Sequence, residues 1–410
     1  MRAGWQTKKL GEVCRIKPPK AEVRCRISQT DLVSFVPMED LGIDRKFLVS
    51  ARTEQIAGVI DSYTYFANGD VLLAKITPCF ENGKLGIAAN LTNGVGFGSS
   101  EYIVFRPSQF VDKEWLYYFI SRETFRKEGS ERMSGAVGHK RVAKEFVEEY
   151  PIPLPPIPEQ HRLVAILDKA FESIATAKAN AEKNLNNARE LFESYLNSIF
   201  TQRGEGWVEK KLWDVAKTQY GLSEPMNEEG KGFKIFRMGE IQNGRLIDTG
   251  LMKFADINRV EFEKYKLQPG DVLFNRTNSF ELVGKTGIFN MPGDYCFASY
   301  LIRVHLNKKV LLPEFLNYFM NSKLFQNTVK QKASRSINQA NINATILSNE
   351  TVRFPESIKE QKTIVTNLDS IRAETNHLES LYKKKLLALN ELKQSLLHQA
   401  FTGQLSGIVS

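Results

Sequence analysis

The 410-residue chain carries the same ordered set of short blocks twice, about 201 residues apart. Trp5-x-x-Lys8-Lys9-Leu10-x-x-Val13 recurs as Trp207-x-x-Lys210-Lys211-Leu212-x-x-Val215, and Gly69-Asp70-Val71-Leu72-Leu73-Ala74-Lys75 as Gly270-Asp271-Val272-Leu273-Phe274-Asn275-Arg276. Gly83-Lys84-Leu85-Gly86-Ile87 matches Gly284-Lys285-Thr286-Gly287-Ile288, and Trp115-Leu116-Tyr117-Tyr118-Phe119 matches Phe315-Leu316-Asn317-Tyr318-Phe319. Glu159-Gln160, Leu167-Asp168 and Phe200-Thr201 return as Glu360-Gln361, Leu368-Asp369 and Phe401-Thr402. Order and offset are both kept, so the chain is a duplication, and whatever one half folds into the other must resemble.

Each copy divides into a globular part and a helix. In the first, Pro151-Ile152-Pro153-Leu154-Pro155-Pro156-Ile157-Pro158 places five prolines in eight residues and predicts a stiff extended strut or hinge. From about 158 to 202 no Gly or Pro intervenes. There Val164, Leu167, Phe171, Ile174, Lys178, Ala181, Leu185, Ala188, Phe192, Tyr195 and Ile199 fall at alternating spacings of three and four, a heptad seam with Lys178 as its one charged position.

The second copy opens its helix with Ser357-Ile358-Lys359-Glu360, a candidate capping box. Its seam runs Leu368, Ile371, Thr375, Leu378, Tyr382, Lys385, Leu389, Leu392, Leu396 and ends near Gly403. Two helices of similar length, about 44 residues or roughly 65 Å at ~1.5 Å per residue, each carry one apolar stripe and predict an antiparallel coiled coil in which each stripe buries the other.

The globular parts, 1–150 and 207–355, read as mixed α+β. Asn68-Gly69-Asp70 and Pro269-Gly270-Asp271 are turns feeding strands, and Glu101–Phe105 and Tyr300–Val304 read as a second strand pair. Trp115 to Arg122 and Phe315 to Lys323 predict short amphipathic helices. The expected organisation is therefore 1–150, a globular domain; 151–206, strut and central helix; 207–355, a second globular domain; and 356–410, a C-terminal helix. The two lobes are expected to be related by an approximate two-fold axis.

Catalytic motifs fail one by one. Gly284-Lys285-Thr286 resembles the end of a phosphate-binding loop, but Ser279 stands where the spacing needs Gly. Gly94-Val95-Gly96-Phe97-Gly98 is followed by Ser99 where a dinucleotide fingerprint has its last Gly. Glu360-Gln361-Lys362 has no Pro-Asp partner of a nuclease site and reads as a helix cap, and no Asn-Pro-Pro-Tyr or Asp-Pro-Pro-Tyr loop of base methylation is found. The four cysteines and five histidines form no C-x-x-C or H-x-x-x-H, so no metal or disulfide framework is expected and no catalytic residue is assigned. No apolar run reaches the length of a membrane span, and the first residues lack the apolar stretch of a secretory signal, which predicts a cytoplasmic protein.

Charge singles out the globular parts. Residues 1–150 carry +3 and 207–355 carry +6, while the helical segments are near neutral, in a total of +9. Basic clusters fall in predicted loops: Arg132, His139, Lys140, Arg141 in the first copy and Lys330, Lys332, Arg335 in the second, the latter among Asn338, Gln339 and Asn341. Arg and Lys neutralise phosphates and read guanine, and Asn and Gln make paired bonds to adenine, so the mixture suits DNA. The candidate contacts are Lys75, Thr77, His139, Lys140 and Arg141 in the first lobe, and Arg276, Asn278, Arg335, Asn338, Gln339 and Asn341 in the second.

The Gly69-to-Lys84 block, the Ile152-Pro153-Leu154-Pro155-Pro156 segment followed by Glu159-Gln160 at the head of a long helix, and the 200-residue duplication together resemble the specificity subunit of a type I restriction-modification enzyme. The second copy departs in having Arg353-Phe354-Pro355 where the first has its proline run. The resemblance implies two target recognition domains, each reading half of a split double-stranded DNA site. It further implies long helices that set the spacing and dock two methyltransferase (M) subunits, with restriction/translocase (R) subunits joining for cleavage. S-adenosylmethionine, ATP and Mg would serve those partners, with none in this chain. The alternatives are the equivalent subunit of a related multisubunit restriction system, and a duplicated scaffold that binds proteins and not DNA.

Overall fold

The computed structural model describes residues 4–48, 52–136, 138–202, 204–336 and 339–405. It falls into two units: residues 1–181 with 384–410, and residues 182–383. Each unit holds one globular part and a half of each of two 45-residue helices, Ile157–Thr201 and Ile358–Thr402.

In the first unit the strand Val71–Ala74 lies buried in an antiparallel sheet between Tyr102–Pro107 and Leu85–Ile87, with Cys14–Ile16 at the edge. A second sheet orders Thr53–Gln55, Leu32–Val36, Val95–Gly98 and Thr64–Ala67. The turn before the central strand depends on Gly69, whose φ of 90° is left-handed, and on Asp70, whose carboxylate accepts the Ala67 N–H at 2.8 Å. The second unit repeats this: Val272–Asn275 lies between Leu301–Leu306 and Thr286–Ile288, with Gly270 at φ 92° and the Gln268 N–H on Asp271 at 2.9 Å.

The helix Lys113–Ile120 starts where Asp112 accepts the N–H groups of Glu114 and Trp115 at 2.8 and 3.1 Å. It departs from the expected amphipathic pattern, because Trp115 to Ile120 are all buried. Sheet strands cover one side and the long helix another, where the Tyr118 hydroxyl donates to Asp168. Pro313–Asn321 is buried in the same way, and the Tyr318 hydroxyl donates to Asp369 at 2.5 Å.

The proline run is only partly a strut. Pro151–Leu154 forms a two-stranded antiparallel ribbon with Gln6–Lys9, pairing Lys9 with Pro151 and Gln6 with Leu154. A ribbon of two strands has an open edge on each side, where a missing N–H breaks no ladder. Thr351–Pro355 pairs with Trp207–Lys211 likewise, so the second copy keeps the element with a single proline.

The long helices run antiparallel within each unit. In the first, Lys178 donates to Asn390 and Phe171 lies 5.7 Å from the Lys393 ammonium; in the second, Arg189 pairs with Glu379 at 3.2 Å and Phe192 lies 4.6 Å from the Arg372 guanidinium. The first seam is buried or half-buried throughout, with Leu196 and Phe200 added to it. The second seam drifts: Lys385 and Leu392 are exposed, and Leu386 and Lys393 take their places. A straight helix of 3.6 residues per turn slips against a strict heptad by about 20° per repeat, which moves the buried line one residue onward.

Candidate nucleic-acid interface

In both units the chain leaving the central strand is joined by a hairpin from far along the sequence. In the first, the Thr77 N–H donates to Lys140 O at 2.9 Å and the Val142 N–H to Lys75 O at 2.9 Å, while Ile76 bridges Arg141 and Arg141 bridges Ser134. In the second, Thr277–Asn278, Gln339–Asn341 and Ser334–Ser336 form a three-stranded sheet, with Thr277 opposite Asn341 and Ser334 opposite Asn341. The Ile342 N–H donates to Arg276 O at 2.9 Å, as Val142 does to Lys75. Lys75, Thr77, His139, Lys140 and Arg141 thus share one ribbon, and Arg276, Asn278, Arg335, Gln339 and Asn341 share its counterpart. Asn338 lies outside the described residues.

The side chains on these two frames differ. Arg141 is clamped by Glu101: Nε donates to Oε2 at 2.9 Å and Nη2 to Oε1 at 2.7 Å, while Nη1 donates to His139 O at 3.1 Å. The Arg141 hydrogen bond, together with the charge of Lys75 3.7 Å away, holds the Glu101 carboxyl below the usual carboxylate range. Lys75 also donates to Ser100 O at 3.0 Å, and Thr77 Oγ1 to Lys140 O at 3.3 Å. His139 and Lys140 are exposed.

In the second ribbon Arg276 donates from Nη2 to Asn341 Oδ1 at 3.2 Å and from Nη1 to Ser299 O at 3.2 Å, and lies 4.9 Å from the Tyr220 ring. Asn341 Nδ2 donates to Thr277 Oγ1 at 2.9 Å, and Asn278 Oδ1 accepts the Ser279 N–H at 2.8 Å. Arg335 stacks 3.9 Å over Phe280.

Three members of the basic clusters have structural work. Lys332 pairs at 2.7 Å with the buried Glu350, Lys330 donates to Glu281 O at 2.8 Å, and Arg132 donates to Glu128 O at 2.8 Å beside Phe146. Glu101, Tyr220 and Phe280, by contrast, join the ribbons without having been singled out by sequence. The available signal for Glu101 was a difference between copies: the residue whose carbonyl accepts the Lys75 N–H is Glu101, and the one accepting the Arg276 N–H is Tyr300. Among the described residues no cluster of three metal-ligating side chains occurs, and no helix is long and apolar enough to cross a membrane.

The family model for the type I restriction modification DNA specificity domain matches residues 2–187 and again 204–388. The chain belongs to this family. Among specificity-family relatives, the EcoAI specificity subunit of Escherichia coli is 35% identical over 199 residues, 48% of this chain and 33% of that one. The EcoEI specificity subunit of Escherichia coli is 34% identical over 197 residues, 48% of this chain and 32% of that one, so these matches span about a third of the relatives' length. The EcoKI specificity subunit of Escherichia coli strain K12 is 27% identical over 318 residues, 74% of this chain and 68% of that one. The fold is likewise that of the HsdS subunit from Thermoanaerobacter tengcongensis, with a TM-score of 0.63 at 20% identity over 98% of this chain and 97% of that one. A chain solved in work on complex assembly and conformational transition of the type I R-M system aligns with a TM-score of 0.80 at 20% identity over 98% of each chain.

Proposed function

We propose that this chain is the non-catalytic subunit that gives a type I restriction-modification complex its DNA sequence, acting in the cytoplasm. Residues 1–150 and 207–355 are the two recognition domains, each reading one half of a bipartite duplex target. The long helices separate them and dock two methyltransferase subunits, to which restriction subunits add. Adenine N6 methylation with S-adenosylmethionine, and ATP- and Mg-dependent translocation and cutting, belong to those partners.

The observation that carries this reading is the pair of ribbons. Their backbone registers correspond while their side chains are Lys, Thr, His and Arg in one and Arg, Asn and Gln in the other. A constant frame with interchangeable polar side chains is what sequence readout needs, since the frame sets distance from the bases and the side chains choose among them.

The test is to map N6-methyladenine in cells carrying the whole complex, before and after exchanging residues 1–150 for the corresponding domain of a relative. One half of the motif should change and the other stay. A change in both halves, or in neither, overturns the two-reader reading. The purified chain alone should neither cut nor methylate DNA.

A further inference from the structure

We propose that Arg141 reads a guanine in the first half-site, with Glu101 as its positioning residue, and that the second ribbon has no equivalent contact. The proposal rests on the ribbons facing DNA.

Glu101 takes the side edge of the guanidinium, Nε and Nη2, and the His139 carbonyl takes one N–H of Nη1. A guanidinium has five N–H groups, so the one remaining on each of Nη1 and Nη2 is left over. With the Nη1 hydrogen that faces Cδ on the His139 carbonyl, these two would form the end-on fork, whose spacing matches O6 and N7 of guanine in the major groove. The residue is held at both its backbone and its head. Ile76 and Ser134 bridge the Arg141 backbone, the carboxylate fixes the plane of its head, and the side chain is still 45% exposed.

The same contacts argue against a phosphate as the target. A phosphate contact gains most of its affinity from net positive charge and released counterions, and needs no fixed plane. Glu101 cancels one of the two cations beside it, Lys75 and Arg141. It therefore gives up charge for orientation, which favours reading a base edge. In the second unit Tyr300 stands where Glu101 does, and Asn341 where Arg141 does, its amide already engaged by Arg276 and Thr277. The braced fork is a property of one lobe.

The experiment uses the assembled methyltransferase complex, read out by methylation mapping and by binding to duplexes that differ at one base pair. Arg141→Ala should leave one G·C position of one half-site degenerate, with discrimination there falling about 10-fold or more and the rest of the motif kept. Arg141→Lys, which keeps the charge and lacks the fork, should lose the same discrimination with an unchanged salt dependence. Glu101→Gln should reduce discrimination at that same pair while tightening non-specific binding, and Glu101→Asp should restore part of it. A merely structural Glu101 would weaken all sequences alike. An Arg141→Ala complex with an intact motif, or one weakened equally on every sequence with a shallower salt dependence, overturns the guanine assignment. A wild-type complex that methylates no two-part motif would instead remove the specificity reading beneath it.

Discussion

The amide of Gln361 accepts the Leu312 N–H at 2.9 Å on Oε1, and its Nε2 donates to the carbonyls of Val310 and Pro355 at 3.0 and 2.8 Å. Gln160 makes the same three bonds, to Asp112 N at 2.8 Å and to the Phe110 and Pro155 carbonyls at 3.0 and 2.8 Å. Both are fully buried. The repeated Glu-Gln pair therefore marks a tie between the start of each long helix and the loop that begins the buried short helix. Gln361→Leu strands one N–H and two carbonyls, and should cost about 3 kcal/mol. Thermal unfolding of the full chain checks it, and Gln160→Leu should behave alike.

The end of the second long helix completes the core of the first unit. Phe401 lies 4.1 Å from the Trp115 ring and 5.3 Å from Phe119, centroid to centroid, with the Arg122 guanidinium 5.2 Å away. Phe401→Ala should destabilise this unit by about 3–5 kcal/mol and shift the emission of Trp115 toward that of a wetted indole. Calorimetry and fluorescence on one sample test both.

Asp70, central to the Gly-Asp-Val block, is a structural acid. It is buried, holds the turn, and takes Arg106 on both oxygens at 2.8 Å. Asp70→Ala takes from the half-buried Arg106 its paired carboxylate, leaving Glu22 and the Tyr65 ring beside it, and should cost about 3 kcal/mol. Its effect on DNA discrimination should follow from lost stability alone, so low temperature should restore the motif.

The Glu101 lock has a defined pH window. Its folded carboxyl sits below the ordinary 4.5, so the stability it adds is fully present above that value and is lost as pH falls through the lower folded one. The melting-temperature difference between wild type and Glu101→Gln should be constant from neutrality to about pH 5 and close below it. A difference that widened on acidification would contradict the geometry.

Particular residues show where sequence reasoning stopped. The Leu-Asp pairs at 167–168 and 368–369 were visible as a repeat, and in both copies the aspartate accepts a tyrosine hydroxyl, from Tyr118 and from Tyr318. The cation beside each pair was not visible. In the first unit it is Lys46, which pairs with Asp168 at 2.6 Å and lies 4.9 Å from the Tyr118 ring. In the second the matching backbone position is Gly244, and Arg372 of the long helix fills the space, its Nη1 3.0 Å from where a Cβ on Gly244 would stand. The charge is conserved in place and changed in origin, which no alignment of short blocks can reveal. The ribbons were legible only as basic, polar stretches; that Lys140, Arg141 and Val142 meet Thr77, Ile76 and Lys75 depends on a pairing across more than sixty residues.

The amino-acid order alone determined the duplication, the turns before the central strands and the two breaker-free helices, because each is written in local spacing and local backbone preference. Tertiary packing decided the rest. It set which residue of a drifting stripe turns inward, it made the proline run a strand by giving it Gln6–Lys9 to pair with, and it set Glu101 against Arg141. Those outcomes turn on distances between side chains far apart in the chain, and such distances are fixed only when sheet, hairpin and helix close on a shared core.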